Sequence, residues 1–569
     1  TNSEVAVVKN GQVEVLEIQH DSLLLPSVVG LADDGCLLVG TSAANQFALH
    51  PERTVKSIKR HMGSDYKVDL GGQTYTPQEI SALILKRLKA VAEDYLGEPV
   101  EKAVITVPAY FSDAQRQATR DAGNIAELDV VRIINEPTAA ALAYEGSHSG
   151  QKKIMVYDLG GGTFDVSVVR LEKDVVEVLA SHGDNQLGGD DFDQKIIDHV
   201  TEHLITQHAV DKSALNQQVL ARIRRAAEAA KIRLSNHPFA MLEEEYLIQD
   251  GEKTVHLSLE LSRDEYEDMI TSFIDQTLTA AHTALEGADM SVADLDEILL
   301  VGGSTRTPLI SQRLESELGL QARSDVNPDL CVAMGAAIQG ATISGEQVSA
   351  VLVDITPYTF GTSAIGMLNG DFYPFKFVPV IRKNSVIPVT KSEVFYTNVD
   401  SQESVDVTVY QGEDEDAVNN TEIGRFMFEG LSDVPSGNEI VMTFSLDLNG
   451  ILQVSAVEKN SSKEMSITID NAVAQFTEDA MGQAQARISQ LFEGESAPSG
   501  DDKPKQHANA LTLIEKAEAL MENASEEDRE DLVDMAERLH DAISQESIDN
   551  DVVDEAVQQL TDLIFYLES

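Results

Sequence analysis

Asp158-Leu159-Gly160-Gly161-Gly162-Thr163-Phe164-Asp165 is the stretch on which the fold turns. The β-branched run Ile154–Tyr157 leads into it and Val166–Leu171 leads out. A strand on each side makes the three glycines the turn of a hairpin. They do not open a helix, which excludes the Walker loop and the Rossmann turn, since both need a helix N-terminus behind the glycines. Glycines without Cβ let backbone N–H groups approach phosphate oxygens. Asp158 and Asp165, one at each end, suit the hydration shell of a Mg2+ ion, and Thr163 adds a hydroxyl. A plain glycine turn with flanking acids is the simpler alternative.

Three further stretches share this character. Glu297–Val301, followed by Gly302-Gly303-Ser304-Thr305-Arg306, reads as a strand running into a helix with Ser304 or Thr305 as N-cap. Paired glycines there let a nucleotide lie against the backbone, and Arg306 can stack on a base. An ordinary strand-to-helix turn fits those residues equally well. Asn135-Glu136-Pro137-Thr138 stands between Val130–Ile134 and the helical Ala139–Ala143. Pro137 suits a first helical turn. Glu136, at a strand's C-terminal end, is placed to orient water, or is simply a solvated turn acid. Lys59 of Lys59-Arg60 can neutralise phosphate charge, although most such pairs are surface residues. The 13 histidines show no HExxH spacing, so no structural metal is assigned.

Outward from these stretches, residues 1 to about 345 alternate strands (Ala103–Val107, Val130–Ile134, Glu297–Val301) with helical patterns (Gln78–Tyr95, Asp113–Ala126, Asn216–Leu234), the signature of an α/β sheet covered by helices. Residues 346–355 (EQVSAVLVDI) form a short, mainly apolar connection. From 356 to about 471 strand follows strand: Val394–Thr397, Val405–Tyr410, Ile440–Ser445, Leu452–Val457 and Met465–Ile469, punctuated by Asn369-Gly370-Asp371 and Asn449-Gly450. From 472 the pattern is helical: Ala480–Leu491, a flexible break at Glu493–Lys505, then His507–Asn523, Glu526–Ser544 and Asp551–Leu567, with Ser525 and Asp528 as a capping box.

Composition narrows the function. The 569 residues suggest several domains, and 42 Lys+Arg against 96 Asp+Glu give a net charge of −54. Such a chain is repelled by nucleic-acid phosphates and by anionic membranes. Cys36 and Cys331 form neither a disulfide framework nor a zinc ribbon. No apolar run approaches the ~18 residues that span a bilayer. A soluble, cytoplasmic protein is expected.

Several segments together resemble the DnaK family of heat-shock chaperones. They are TNS at the start, VITVPAYFSDAQRQATRDAG (104–123), INEPTAAALAY (134–144), DLGGGTFDVS (158–167), GDNQLGGDDFD (183–193), VGGSTRTP (301–308) and NPDLCVAMGAAIQG (327–340), then VIRKNSVIPV (380–389), VYQGE (409–413) and DLNGILQVSAVEK (447–459). The longer loop Leu368–Phe377 and the short C-terminus look like its specialised HscC-like branch. The resemblance implies an actin-like, ribonuclease H-like two-lobed ATPase domain (1–345), a linker (346–355), a β-sandwich that binds substrate (356–471) and an α-helical lid (472–569). It implies ATP or ADP with Mg2+ and K+ as cofactors. Asp158 and Asp165 match carboxylates near Mg2+ and the attacking water. Thr163 matches the γ-phosphate contact, Lys59 the lysine needed for hydrolysis, and Glu136 the acid that senses the γ-phosphate. Gly160, Gly161 and Gly162 line the phosphates, with Thr1 and Asn2 from an earlier phosphate hairpin. Gly302, Gly303, Ser304, Arg306 and Asp329 match the adenosine side, with Glu228, Lys231 and Ser235 opposite. Ile232 stands where some relatives place an adenine-stacking Arg.

Ile365, Phe395, Asn398 and Val405 match the peptide arch and pocket by position, although a sandwich core needs residues such as Phe395 and Val405 anyway. Pro108 and Arg116 match relay residues, Arg132 part of a J-domain surface, and Val351-Leu352-Val353-Asp354 the linker. Scaffold packing or solvated charge would also explain Pro108, Arg116 and Arg132. The implied partners are unfolded client polypeptides, a J-domain co-chaperone and a nucleotide exchange factor. The family's first phosphate hairpin begins upstream of Thr1, so a polypeptide that began there would be a crippled ATPase. Two other readings compete: a non-hydrolysing regulatory or holdase-type protein, and an actin-fold sugar kinase. The sandwich and lid argue against the kinase.

Overall fold

The computed structural model describes residues 2–18, 22–145, 150–172, 175–250, 253–323, 327–346, 351–468 and 478–493, with isolated positions between 529 and 560. Residues 1–494 form one compact unit and 495–569 a second. In the second, Leu532, Ala536 and Leu539 are helical and buried at i, i+4 and i+7, the spacing of a packed helix face. Most of the helices expected from His507 onward, and the Ser525–Asp528 cap, lie outside the described residues.

The first unit is organised by a seven-stranded sheet. Its order is Ala322–Arg323, Glu297–Val301, Lys152–Leu159, Phe164–Glu172, Val175–Asp184, Val351–Ile355 and Val386–Ile387. Both faces are covered, so Phe164–Glu172 is buried almost throughout, its polar Asp165 and Ser167 included. A core of Met155, Tyr157, Val166, Val168, Phe192, Ile270 and Ile298 fills one side. On the other, the helices Glu136–Glu145 and Cys331–Ser344 cross closely. A Cβ at Gly335 would lie 1.8 Å from the Ala139 carbonyl oxygen, so glycine is needed there, and the small buried Ala139–Ala141 run matches it. A second group of elements includes the parallel pair Lys102–Val107 and Asp129–Asn135, the three-stranded sheet of Leu37–Val39, Val28–Leu31 and Thr54–Lys56, and the helices Pro77–Leu96 and Asp113–Ile125.

Two four-stranded sheets form the β-sandwich. One runs Asp371–Ile381, Phe360–Leu368, Ser404–Gln411, Thr421–Glu429; the other Val389–Tyr396, Glu439–Leu446, Leu452–Glu458, Glu464–Thr468. Strict alternation explains the packing: Ile440, Met442, Phe444 and Leu446 point inward and their neighbours do not. Each such buried side chain contributes about 1.5–3 kcal/mol.

Two expectations need correction. Leu368–Phe377 is not a loop but the tip of a long hairpin, because Asn369 and Gly370, at φ 54° and 93°, form a two-residue turn with the twist of the flanking strands. Neither Ser304 nor Thr305 is an α-helix N-cap: Gly303–Arg306 is a 3-10 turn, and the helix Pro308–Leu318 is preceded by Thr307. The helix Glu478–Glu493, in the segment expected as the lid, packs within the first compact unit. Ala484 and Ile488 bury against Pro77–Leu96 and its surroundings, Arg487 pairs with buried Glu79, and Gln485 Nε2 donates to Asn124 O at 2.9 Å.

Candidate nucleotide cleft and its link to the sandwich

Lys152–Leu159 and Phe164–Glu172 pair antiparallel, with Asp158 directly opposite Asp165. The glycine turn therefore brings both carboxylates to one end of the sheet. Gly160 N–H donates to Thr163 O at 3.1 Å and closes the turn. The turn is also held from outside. Gly189 N–H donates to Gly160 O at 3.0 Å, Asp190 N–H to Gly161 O at 2.7 Å, and Ser304 Oγ to Gly160 O at 2.8 Å. Gly302 has a φ of 83°, and a Cβ there would lie 2.4 Å from Leu159 O, so glycine alone lets the two strand ends meet.

Charge is concentrated here. Burial, then Glu136 and Asp165, pushes the Asp158 carboxyl well above its usual range, against the pull of Lys59. Burial and Glu136 raise Asp165 to about 7, although Tyr110 N–H donates to its Oδ1 at 2.9 Å. Glu4 is raised to about 8 by burial, Asp329 and Glu136. Lys59 Nζ meets Glu136 Oε1 at 2.5 Å. Thr163 is buried beside this group. Excess buried negative charge of this kind, carried entirely on oxygen, fits a hard divalent cation.

The other expected residues make the following contacts. Lys231 Nζ pairs with Asp193 at 2.8 Å and donates to Gly189 O at 3.1 Å. Lys231 Nζ and Ser304 Oγ both border Gly189, so the residues expected on two sides of an adenosine do converge. Glu228 is paired with Lys56 at 2.7 Å, and Arg306 with Asp329 at 2.5 Å, which occupies the guanidinium expected to stack on a base. Ser235 Oγ reaches only Lys231 O, at 3.5 Å. Gly303 borders Asp329, and Ile232 is 62% exposed. Asn2 pairs in a two-residue ladder with Pro26. Thr1 lies outside the described residues.

Sequence reasoning missed several neighbours. Arg60 Nε donates to Gly162 O at 3.0 Å and its guanidinium pairs with Asp191; Ser57 Oγ donates to Asp190 at 2.7 Å. Asp190 and Asp191 lie inside GDNQLGGDDFD, so the segment was flagged but its partners were not. Tyr110 lies inside VITVPAYFSDAQRQATRDAG without a role of its own being read there, and Glu4 and Lys56 carried no local signal.

The linker residues Val351–Ile355 are a strand of the main sheet, with Val351, Leu352 and Val353 in parallel register with Val175, Val176 and Glu177. Asp354 is buried. Asn135 Nδ2 donates to its two oxygens at 3.1 and 3.0 Å, and Arg116 donates to Asn135 Oδ1 at 2.7 Å. Burial raises the Asp354 carboxyl, while Ile355 N–H, Arg116, Asn135 and Arg132 restrain the rise. Arg116 also donates to Ala109 O at 2.9 Å and Phe111 O at 3.2 Å, which fixes the loop that follows Pro108. From the sandwich, Asn449 Oδ1 accepts from Ile133 N–H at 3.0 Å, and Leu452 N–H donates to Asp113 at 3.2 Å.

In the sandwich, Phe395 and Val405 pack partly buried against the core. Ile365 is 58% exposed, and Asn398 is exposed with its N–H on Gln402. The four do not form one closed pocket wall: two support the core and two face outward.

A glycine hairpin between buried carboxylates, joined through a sheet strand to a separate β-sandwich, defines a class of protein in which a nucleotide-type cleft and a polypeptide-type surface share one framework. The family model described as Hsp70 protein matches residues 1–71 and 66–567, and the chain belongs to the Hsp70 family. Members of that family are ATP-dependent chaperones and ATPases; they bind ATP or ADP with Mg2+ and take unfolded client peptides and co-chaperones. The match is to the family as a whole and does not separate an HscC-like branch. No helix among the described residues is long and apolar enough to cross a membrane.

Proposed function

We propose that nucleotide in the Asp158–Asp165 cleft sets how long the sandwich holds an extended, apolar stretch of client polypeptide. One observation carries this reading. Asn135 and Glu136 are adjacent in the chain, yet Asn135 holds linker Asp354 while Glu136 holds Lys59 in the cleft. A change at the cleft cannot move one residue without straining the other's bonds. A strand that pairs or unpairs at a sheet edge is a two-state element.

Bound MgATP would supply the phosphoryl group and the counter-charge for the carboxylates. Asp158 and Asp165, opposite each other at the turn, would hold the ion. Gly161 and Gly162 would offer backbone N–H groups to phosphate oxygens, with Gly160 closing the turn and Thr163 adding its hydroxyl. Lys59 leaves Glu136 to meet developing phosphate charge, and Glu136, freed, orients water. These are positioning and electrostatic effects that need no covalent intermediate. K+ would occupy the same phosphate region. Lys231, Ser304, Gly302, Gly303 and Asp329 hold the nucleoside, with Glu228 and Ser235 along the opposite helix.

The client would lie along the outer strands of the sandwich, its backbone bonded to loops and its side chains against exposed Ile365 and Asn398, with Phe395 and Val405 supporting from the core. A J-domain co-chaperone would read the surface around Arg132, between Asp354 and Asp447, and an exchange factor would act on cleft opening. The deciding experiment is the lifetime of a labelled apolar peptide on the full chain with ATP or with ADP. A markedly shorter lifetime with ATP is expected; equal lifetimes would refute the proposal.

A further inference from the structure

Asp354 is the linker's grip on the α/β part, but the sandwich has a second grip of its own. Tyr358 lies between the linker strand and Phe360–Leu368. Its hydroxyl donates to Tyr110 O at 2.6 Å, across 248 positions of sequence. The two rings lie 4.7 Å apart, tilted by 48°. Lys383, also of the sandwich, places Nζ 5.7 Å from the centre of the Tyr110 ring. His182 meets that ring edge-on at 5.2 Å.

Tyr110 is not a passive surface residue. Its N–H donates to Asp165 Oδ1, the carboxylate opposite Asp158. Its carbonyl accepts from Asn185 Nδ2 at 2.7 Å as well as from Tyr358. The flanking carbonyls of Ala109 and Phe111 are both held by Arg116. The loop is thus anchored at every residue, and Tyr358 supplies the anchor at Tyr110 that comes from outside the α/β part.

We propose that Tyr358 is a positioning residue: seated on Tyr110, it fixes the N–H that aligns Asp165, so that docking of the sandwich and the orientation of that carboxylate depend on each other. This rests on the functional reading above and deepens it. Coupling of this kind is reciprocal, so a disturbance at Asp165 must also loosen the dock. Removing only the hydroxyl costs a hydrogen bond, an effect of about fivefold in the docking equilibrium. Removing the ring as well loses the aromatic contact, for about twenty-five-fold in total.

Hydrogen exchange of the full chain without nucleotide tests this, because the amides of Val351–Val353 are protected only while the linker strand is paired. In Tyr358→Phe, protection there is expected to fall about fivefold, and in Tyr358→Leu about twenty-five-fold. The amides of Met442, Phe444 and Val454 in the sandwich core should not change, which separates loss of docking from loss of folding. Asp165→Ala should lower the same linker protection, and adding Tyr358→Phe to it should cost little more, since both act through Tyr110. Unchanged protection in Tyr358→Phe overturns the proposal, and so do fully additive effects of the two substitutions. Should the parent protein hold peptide equally long with ATP and ADP, the functional reading fails, while the exchange cycle still decides the role of Tyr358.

Discussion

The hairpin Lys152–Glu172 and the hairpin Phe360–Ile381 share a connectivity and have opposite surfaces. The first hides its polar groups: Asp158, Thr163 and Asp165 are buried at its turn. The second displays its apolar ones: Phe372 is 83% exposed, and it faces Met367, itself half-exposed, as a cross-strand pair. Either arrangement is unfavourable on its own. Buried carboxylates are costly unless something neutralises them, and an exposed aromatic edge invites association. On the proposed reading, the difference fits two hairpins that each wait for something outside the chain, a cation-bearing anion for one and an apolar polypeptide for the other. The strand Val351–Ile355 lies between them in the chain and is the route the proposed function requires.

The largest effect should come from breaking the cleft alone. Lys59→Ala removes the charge that faces Glu136 and is expected to leave ATP binding intact while lowering turnover at least about a hundredfold. Equilibrium binding and single-turnover hydrolysis on the same preparation check this; retained turnover would remove Lys59 from the chemistry. The sandwich should unfold at the parent temperature, since no contact of Lys59 reaches it.

Next comes the route between the two. Asn135→Ala leaves buried Asp354 and Arg116 without their shared partner, at a cost of about 2 kcal/mol. The expected result is a fall of about thirtyfold in the ratio of peptide lifetimes with ADP and ATP, with peptide affinity in ADP little changed. An unchanged ratio would mean that the two hairpins communicate by some other path.

How much of this was legible in the sequence depends on range. The cleft hairpin was plain because three glycines sit between two β-branched runs, and a two-residue period identified most strands of the sandwich. The tip of the second hairpin reads as a loop in the sequence: Asn369-Gly370 marks a turn, but Phe372, Tyr373 and Phe375, which follow it with no deep burial, give no inward-outward alternation. The 3-10 turn at Gly303–Arg306 was missed because a helix N-cap and a short tight turn use the same small polar residues. Lys56, Tyr110 and Tyr358 were invisible for a different reason. Their bonds join Lys56 to Glu228 over 172 positions, Tyr110 to Asp165 over 55 and Tyr358 to Tyr110 over 248. No local pattern encodes such a meeting.

A smaller effect is expected at the exposed hairpin. Phe372→Ser deletes an aromatic surface that buries nothing within the chain, so thermal unfolding should shift by no more than about 0.5 kcal/mol in stability. Affinity for an apolar client peptide should fall about tenfold, the share of one aromatic contact. Basal ATP turnover should be untouched. If affinity is retained, the client does not use this edge, and the comparison between a cation-seeking and a polypeptide-seeking hairpin loses its second half.

The smallest effect concerns what keeps the sandwich folded while its surface changes partners. Burial alone would raise the Glu458 carboxyl. Bonds from Ser461, the Ser432 N–H and hydroxyl, and Asn438 instead hold it down to about 2. A depressed carboxyl contributes stability above its unfolded value, near 4.5, and loses that contribution as the pH falls toward 2. The sandwich should therefore soften between about pH 4.5 and 2, and Glu458→Gln should flatten that part of the profile while lowering stability at pH 7. Unfolding by denaturant across this range, followed in the sandwich amides, makes the check. A variant with the parent's acid limb would show that Glu458 is not the group that anchors the Ser432 and Asn438 turns.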